Sequence, residues 1–217
     1  MARTRQLSLL DRVLGEVDHA LRTVHGSLAT TQRPYPAQGL AEKADMTEAE
    51  RELAGRLMRI NHAGEVSAQG LYRGQAFVAQ NSALKQHLHH AALEESDHLH
   101  WCHQRLQVLK TRPSLIGPFW YWGSFSIGAI TGKLGDRLSL GFVKATEDQV
   151  INHINDHLTR LPTHDLPDSA VLQQMKADED KHGHEAMRAG GTQLPWPMRK
   201  LLMPLLSKVM TKTTYHI

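Results

Sequence analysis

Residues 7–25 place Leu10, Val13, Leu14, Val17, Leu21 and Val24 on one helical face, which predicts an amphipathic helix. Gly26, Pro34, Pro36 and Gly39 break that period, so residues 26–46 read as a loop packed along the surface or partly mobile. At Thr47-Glu48-Ala49-Glu50 a capping-box pattern opens a long helix that runs to about residue 80. A second long helix fits 82–110, with Ser82 as its cap and Pro113 beyond its end. Residues 118–161 read as mostly helical, broken near Gly132–Gly135 and ended by Pro162, and a fourth core helix runs from about 168 to 190. Past Pro195 and Pro197 a short helix covers roughly 198–210, bent at Pro204. No alternation of useful length marks a strand. The expected fold class is therefore all-α, as one domain over 1–217 with a core at about 48–190 and peripheral helices at 7–25 and 198–210.

Polar residues interrupt the apolar stripes of the core helices in a regular way. The second long helix reads Leu84, Leu88, Ala91, Glu95, His98, Cys102, Leu109 along its inward face. The third reads Leu140, Val143, Glu147, Val150, Ile154, Leu158, Leu161, and the fourth Val171, Met175, Glu179, His182, Ala186. On the first, Leu57, Ala68 and Tyr72 share a face with Glu65. A lone Glu followed by a Glu-x-x-His thus occurs twice, with Glu65 and Glu95 separated by 30 positions and Glu147 and Glu179 by 32. Those gaps suit two antiparallel helical hairpins, so the halves 48–110 and 118–190 read as an internal duplication.

Glu-x-x-His is a short string, and 11 Glu and 15 His in 217 positions supply about one match by chance. A third copy, Glu16-Val17-Asp18-His19, lies off the apolar stripe of its helix, lacks a matching Glu, and reads as a solvated surface pair. The other two differ because their acids take slots meant for apolar side chains. Four buried carboxylates without partners would repel one another, at a cost of several kcal/mol each. The inward positions hold no Lys or Arg to balance them. Two divalent cations would, with the imidazoles completing the shells. A neutral hydrogen-bonded network is the weaker alternative. Four carboxylates and two imidazoles are the ligand set of a two-metal site in a four-helix bundle. Oxygen-rich donors suit iron or manganese, and iron activates O2.

Composition narrows the compartment and the partners more than the chemistry. Cys102 is the only cysteine, which excludes an internal disulfide, an iron–sulfur cluster and a Cys-x-x-Cys motif. Cys102 itself reads as core packing. A net charge of +3 gives no support for a nucleic-acid partner, so none is expected. Arg3 and Arg5 are soon followed by Asp11, Glu16 and Asp18, which argues against a transit peptide. The uncharged run from Pro113 to Gly132 carries too many Pro, Gly and Ser residues for a transmembrane span. The histidines His87, His89, His90, His100 and His103 fall largely on the outside of their helix and read as a solvated face.

Asn61-His62-Ala63-Gly64-Glu65-Val66, continuing through Leu71-Tyr72-Arg73-Gly74-Gln75, resembles the first-helix signature of the di-iron demethoxyubiquinone hydroxylases of ubiquinone biosynthesis. The likeness extends to Glu94-Glu95-Ser96-Asp97-His98, Thr146-Glu147-Asp148 and Asp178-Glu179-Asp180-Lys181-His182, and so covers about 48–190. It implies a ferritin-like four-helix bundle with Glu65, Glu95, His98, Glu147, Glu179 and His182 as ligands of two Fe ions, Glu95 and Glu179 bridging them. It also implies an O2-dependent monooxygenase that hydroxylates the ring of a polyprenyl benzoquinol, with NADH-derived electrons reducing the centre. His153 matches a family histidine near the site, either a proton-relay group or a helix-surface histidine beside His157 and Asp156.

A polyprenyl substrate requires access to a bilayer. Phe119-Trp120-Tyr121-Trp122 with Phe125, Ile127 and Ile130 suits the headgroup level. The last helix sets Trp196, Met198, Leu201, Leu202, Leu205 and Val209 beside Arg199, Lys200 and Lys208, as interfacial helices do. The expectation is a peripheral protein on the cytoplasmic face of the bacterial inner membrane, with other ubiquinone-biosynthesis proteins as further partners. The competing readings are a ferritin-like ferroxidase or peroxide reductase, a di-iron hydroxylase of another substrate such as a tRNA base, and a non-catalytic quinone- or lipid-binding protein. The cysteine-rich tail of rubredoxin-bearing peroxidases is absent.

Overall fold

The computed structural model describes residues 8–40 and 46–217. Its helices are α1 (Leu9–Val24), α2 (Glu48–Val78), α3 (Ser82–Val108), α4 (Gly117–Lys133), α5 (Asp136–Arg160), α6 (Leu166–Arg188) and α7 (Met203–Thr214), with no strand among the described residues. Arg3, Arg5, the expected start of the first helix at residue 7 and the loop reading of 41–45 lie outside the described residues.

Helices α2, α3, α5 and α6 form the bundle as two hairpins, α2 with α3 and α5 with α6. The expected capping box is present on α2: the Thr47 hydroxyl accepts from the Glu50 amide, and the Glu50 carboxylate accepts from the Thr47 amide at 2.8 Å. On α3 the cap is Asn81, not Ser82. Its side-chain oxygen accepts from the amides of Ala83 and Leu84 at 2.9 and 3.2 Å, while Ser82 is already helical. The expected break near Gly132–Gly135 is where α4 gives way to α5. Gly135 supplies the positive φ of +118° that the reversal needs. Before α7, Met198–Leu202 form a π-turn. Pro204 lacks the amide that would continue the regular ladder there, so the wider turn absorbs the defect.

Helix α4 is not part of the four. It lies along the outside of α2, and its glycines explain why so apolar a segment carries so many. A Cβ on Gly74 would fall 2.0 Å from the Phe125 carbonyl oxygen, and one on Gly128 would fall 2.2 Å from that of Leu71. The two backbones touch. Among the described residues no helix is long and apolar enough to cross a membrane.

Helix α1 docks in the reverse of the expected orientation. Leu10, Val13, Leu14, Val17 and Leu21 are exposed, whereas Glu16, Ala20 and Thr23 are buried. Charge explains the reversal. Arg73 on α2 forms a two-point ion pair with Glu16, Nε–Oε2 2.9 Å and Nη2–Oε1 2.5 Å. Arg12 donates to the Phe77 carbonyl at 2.6 Å and stacks on its ring, and His19 meets the Tyr121 hydroxyl at 3.1 Å. The third Glu-x-x-His is therefore not a solvated pair; it is the docking face of α1. Burial, with Arg73 nearby, pulls the His19 pKa down to about 4, which keeps the ring neutral in this contact.

Two apolar layers bracket the middle of the bundle. Leu57, Met58, Trp101, Cys102, Leu172 and Met175 close one end, and Tyr72, Leu88, Ala91, Leu140, Val143 and Ala186 the other. The buried acids lie between them.

Candidate metal centre

The α2, α3, α5 and α6 periodicities bring Glu65, Glu95, His98, Glu147, Glu179 and His182 together, each almost wholly buried. Ligand atoms of Glu65, Glu95, His98 and Glu179 lie within 4.8 Å of one another. Nδ1 of His98 faces Glu95 Oε2 at 2.8 Å, Glu179 Oε1 at 3.2 Å and Glu65 Oε2 at 3.6 Å. On the other side Nδ1 of His182 faces Glu95 Oε1 at 2.9 Å and Glu179 Oε2 at 3.6 Å. Glu95 and Glu179 thus each turn one oxygen toward either histidine. Glu147 lies beside Glu179; burial first, and then that neighbour's charge, raise its pKa, and it accepts from the Tyr72 hydroxyl at 2.7 Å.

The outer ring nitrogens are already committed. His98 Nε2 donates to Asp178 at 2.8 Å, and His182 Nε2 donates to Glu94 at 2.8 Å. The duplication is reciprocal: the acid just before each Glu of a Glu-x-x-His orients the histidine of the other half. With the Nε2 protons so held, Nδ1 is the nitrogen that each ring can turn to a cation once its own proton leaves. Those two Nδ1 atoms, Glu65 Oε2, both oxygens of Glu95 and Glu179 Oε2 are buried without a hydrogen-bond partner. Orphaned acceptors converging on one point fit a bound metal.

Electrostatics of the metal-free cluster agree. Burial holds the carboxyls of Glu65 and Glu147 well above the usual range, toward the neutral acid. Burial also opposes charge on Glu95, but His98 and His182 outweigh it and hold that carboxyl well below the usual range. Both imidazoles are driven up by their acid neighbours, Glu95 foremost, despite burial. The shifts of Glu65, Glu147, His98 and His182 each favour protons among the acids in the absence of a cation, the arrangement in which metal uptake is coupled to proton release.

An apolar cavity of about 300 Å³ lies between α2, α4, α5 and α7, lined by the chain neighbours of two cluster acids but by none of the six cluster residues. Gly64 and Thr146, each next to a cluster Glu in the chain, line it, with Phe119 and Trp120 from α4 and Met203 and Met210 from α7. The two segments singled out as membrane-facing therefore meet over one cavity. His153 also lines it, half-buried, and its Nε2 bonds the Ser207 hydroxyl of α7. His157, beside His153 on α5, is buried, with Nδ1 3.1 Å from Asn61 Oδ1. Sequence reasoning assigned no role to Tyr72, Asp178 or Glu94. The acid doublets Glu94-Glu95 and Asp178-Glu179 were the available signal. Cys102 packs on Met175 as expected, Sγ–Sδ 3.8 Å.

A helical bundle with a buried carboxylate–imidazole cluster is the architecture of the four-helix bundles that can hold metal between facing helices. Residues 52–214 match the family model described as ubiquinone biosynthesis protein COQ7, and the chain belongs to that family. It is 53% identical over 213 residues to the 3-demethoxyubiquinol 3-hydroxylase of Nitrosococcus oceani, covering 98% of this chain and 99% of that one. Proteins of the same description from Azotobacter vinelandii and Ectopseudomonas mendocina are 50% and 49% identical over 217 residues, covering the whole of both chains in each case.

Proposed function

We propose that the chain is a 3-demethoxyubiquinol 3-hydroxylase of ubiquinone biosynthesis in which Glu65, Glu95, His98, Glu147, Glu179 and His182 hold two iron ions. The observation that carries the metal reading is the pair Glu95 and Glu179, each with one oxygen toward His98 and the other toward His182. Glu65 then serves the His98 side and Glu147 the His182 side. Iron held there supplies reductive activation of O2. One oxygen atom enters the ring C–H bond and the other leaves as water, which takes two electrons, NADH-derived on the family's pattern, and two protons. The ferroxidase, peroxide-reductase and non-catalytic readings do not account for the full-length likeness to hydroxylases.

The chain's own residues do the rest. Asp178 and Glu94 fix the imidazoles, Tyr72 donates to Glu147, and the apolar layers keep bulk water out. In the cavity the quinol ring lies against Gly64 and Thr146, with the prenyl tail running outward between α4 and α7. The pKa of His153 is lowered by burial, so its imidazole is neutral and can take a proton from a quinol hydroxyl. A Cβ at Gly64 would meet no atom within 4 Å, so a larger side chain there enters the cavity without disturbing the fold. Gly64→Leu is accordingly expected to raise KM for the quinol by about tenfold or more, while iron content and thermal stability stay near the parent's. An unaltered KM would remove the quinol from this cavity.

Exposed Phe119 and Trp122 on α4, and Leu201, Leu205 and Val209 beside Lys200 and Lys208, suit a peripheral contact with anionic lipid. We place that contact on the cytoplasmic face of the inner membrane. Flotation with anionic liposomes checks it; a chain left wholly at the bottom of the gradient argues against it.

A further inference from the structure

Thr31 and Arg33, ahead of α2, meet two acids that flank the candidate ligands, Asp97 and Asp178. Thr31 donates its amide to Asp97 Oδ1 at 2.8 Å, and its hydroxyl also bonds Asp97. Arg33 donates through Nε to Asp97 and through Nη1 to Asp178 Oδ2, both at 2.8 Å, and its guanidinium stacks on Trp101 at 4.9 Å. Between them Gln32 sits at φ +63°, a conformation that costs a non-glycine residue about 1 kcal/mol or more and persists where surrounding contacts impose it. That turn lets two residues of one strap seize the same carboxylate.

Asp178 Oδ2 is the atom that receives both Arg33 Nη1 and His98 Nε2. The equivalent acid in the other half, Glu94, is met at 3.0 Å by Lys181, whose side chain is 47% exposed. The two histidines are therefore backed unequally: one by a rigid bidentate fork clamped between two carboxylates, the other by a flexible, solvated ammonium. The strap precedes residues 52–214, where the family match lies.

We propose that Arg33 is a positioning residue that acts through Asp178 to hold the His98 imidazole, so that the strap makes the His98 side the tighter of the two metal positions. The inference rests on the two-metal reading above. With the strap in place, Asp178 has one orientation. Without Arg33, Asp178 is free to turn toward Gln174, whose Nε2 already donates to its Oδ1 at 3.1 Å, and His98 loses its anchor.

The test is anaerobic equilibrium titration of metal-free full-length protein with Co(II), followed through its ligand-field absorption, alongside the thermal stability of the metal-free form. The parent is expected to bind two ions in distinguishable steps. Arg33→Ala should weaken the tighter step by about 10–100-fold, leave the weaker one in place and shift the spectrum of the first ion. Arg33→Lys, which keeps the charge but cannot bridge two carboxylates, should fall between. Arg33→Ala in an Asp178→Asn background should add no further loss. Equal weakening of both steps together with a lower metal-free melting point would reduce Arg33 to a structural tie and overturn the proposal. Two unaltered steps in Arg33→Ala would overturn it while leaving the two-metal reading intact. A parent chain that binds no second ion would overturn both.

Discussion

Glu95→Gln is expected to lower quinol hydroxylation by more than about 100-fold while leaving the helical content unchanged. Outer hydrogen-bond partners of metal ligands are alone worth about 10–100-fold, and Glu95 is placed closer than these. Its two oxygens face His98 and His182 at 2.8 and 2.9 Å, and neither has a hydrogen-bond partner to retain it in another role. Gln matches the shape, keeps one oxygen and removes the charge. The amide would set its N–H groups toward one of the two cation positions and leave a neutral oxygen at the other. Turnover within about tenfold of the parent, measured as oxygen consumption dependent on a demethoxyquinol, would show that Glu95 does not join the two halves of the centre.

The second large effect concerns stability. Gly74→Ala should lower stability by about 3 kcal/mol, because the new methyl group meets the Phe125 carbonyl at 2.0 Å and neither backbone can retreat without unseating α4. For a chain of this size that is a fall of about 6–12 °C in Tm. Gly15→Ala makes the opposite comparison. Its Cβ would meet nothing within 4 Å on the solvent side of α1, so the same substitution should stabilise by about 0.5–1 kcal/mol. Thermal unfolding of both variants separates close packing from helix propensity. A Gly74→Ala chain melting with the parent would mean that α4 is not seated on α2 as described.

The bundle was legible because its signals are local. Thr47 and Glu50 cap α2 three residues apart, and the apolar stripes of α2, α3, α5 and α6 repeat at helical spacing. The buried acids were legible for the same reason: Glu95, Glu147 and Glu179 stand in slots where the period demands an apolar side chain. What escaped depends on partners distant in sequence. The apolar stripe of α1 predicted the wrong inward face, since nothing near Glu16 announces that Arg73 waits on α2 as its counter-ion. The pair, with Arg12 on Phe77 and His19 on Tyr121 beside it, sets the face that α1 turns inward. The strap was read as a loop because its turn is set by Asp97 and Asp178, 64 and 145 positions away from Arg33. Tyr72 was placed on the correct face, but its hydroxyl has meaning only once Glu147 arrives from α5. Gly74 belonged to a recognisable motif, and only the Phe125 carbonyl explains why no side chain fits there.

The centre itself is tested most directly by counting iron. Protein reconstituted with ferrous iron without oxygen, desalted and assayed for metal per chain, is predicted to hold two ions, and the Glu95→Gln chain fewer than two. A parent that retains one ion or none, or a Glu95→Gln chain that keeps both, would contradict a paired site built on Glu95 and Glu179.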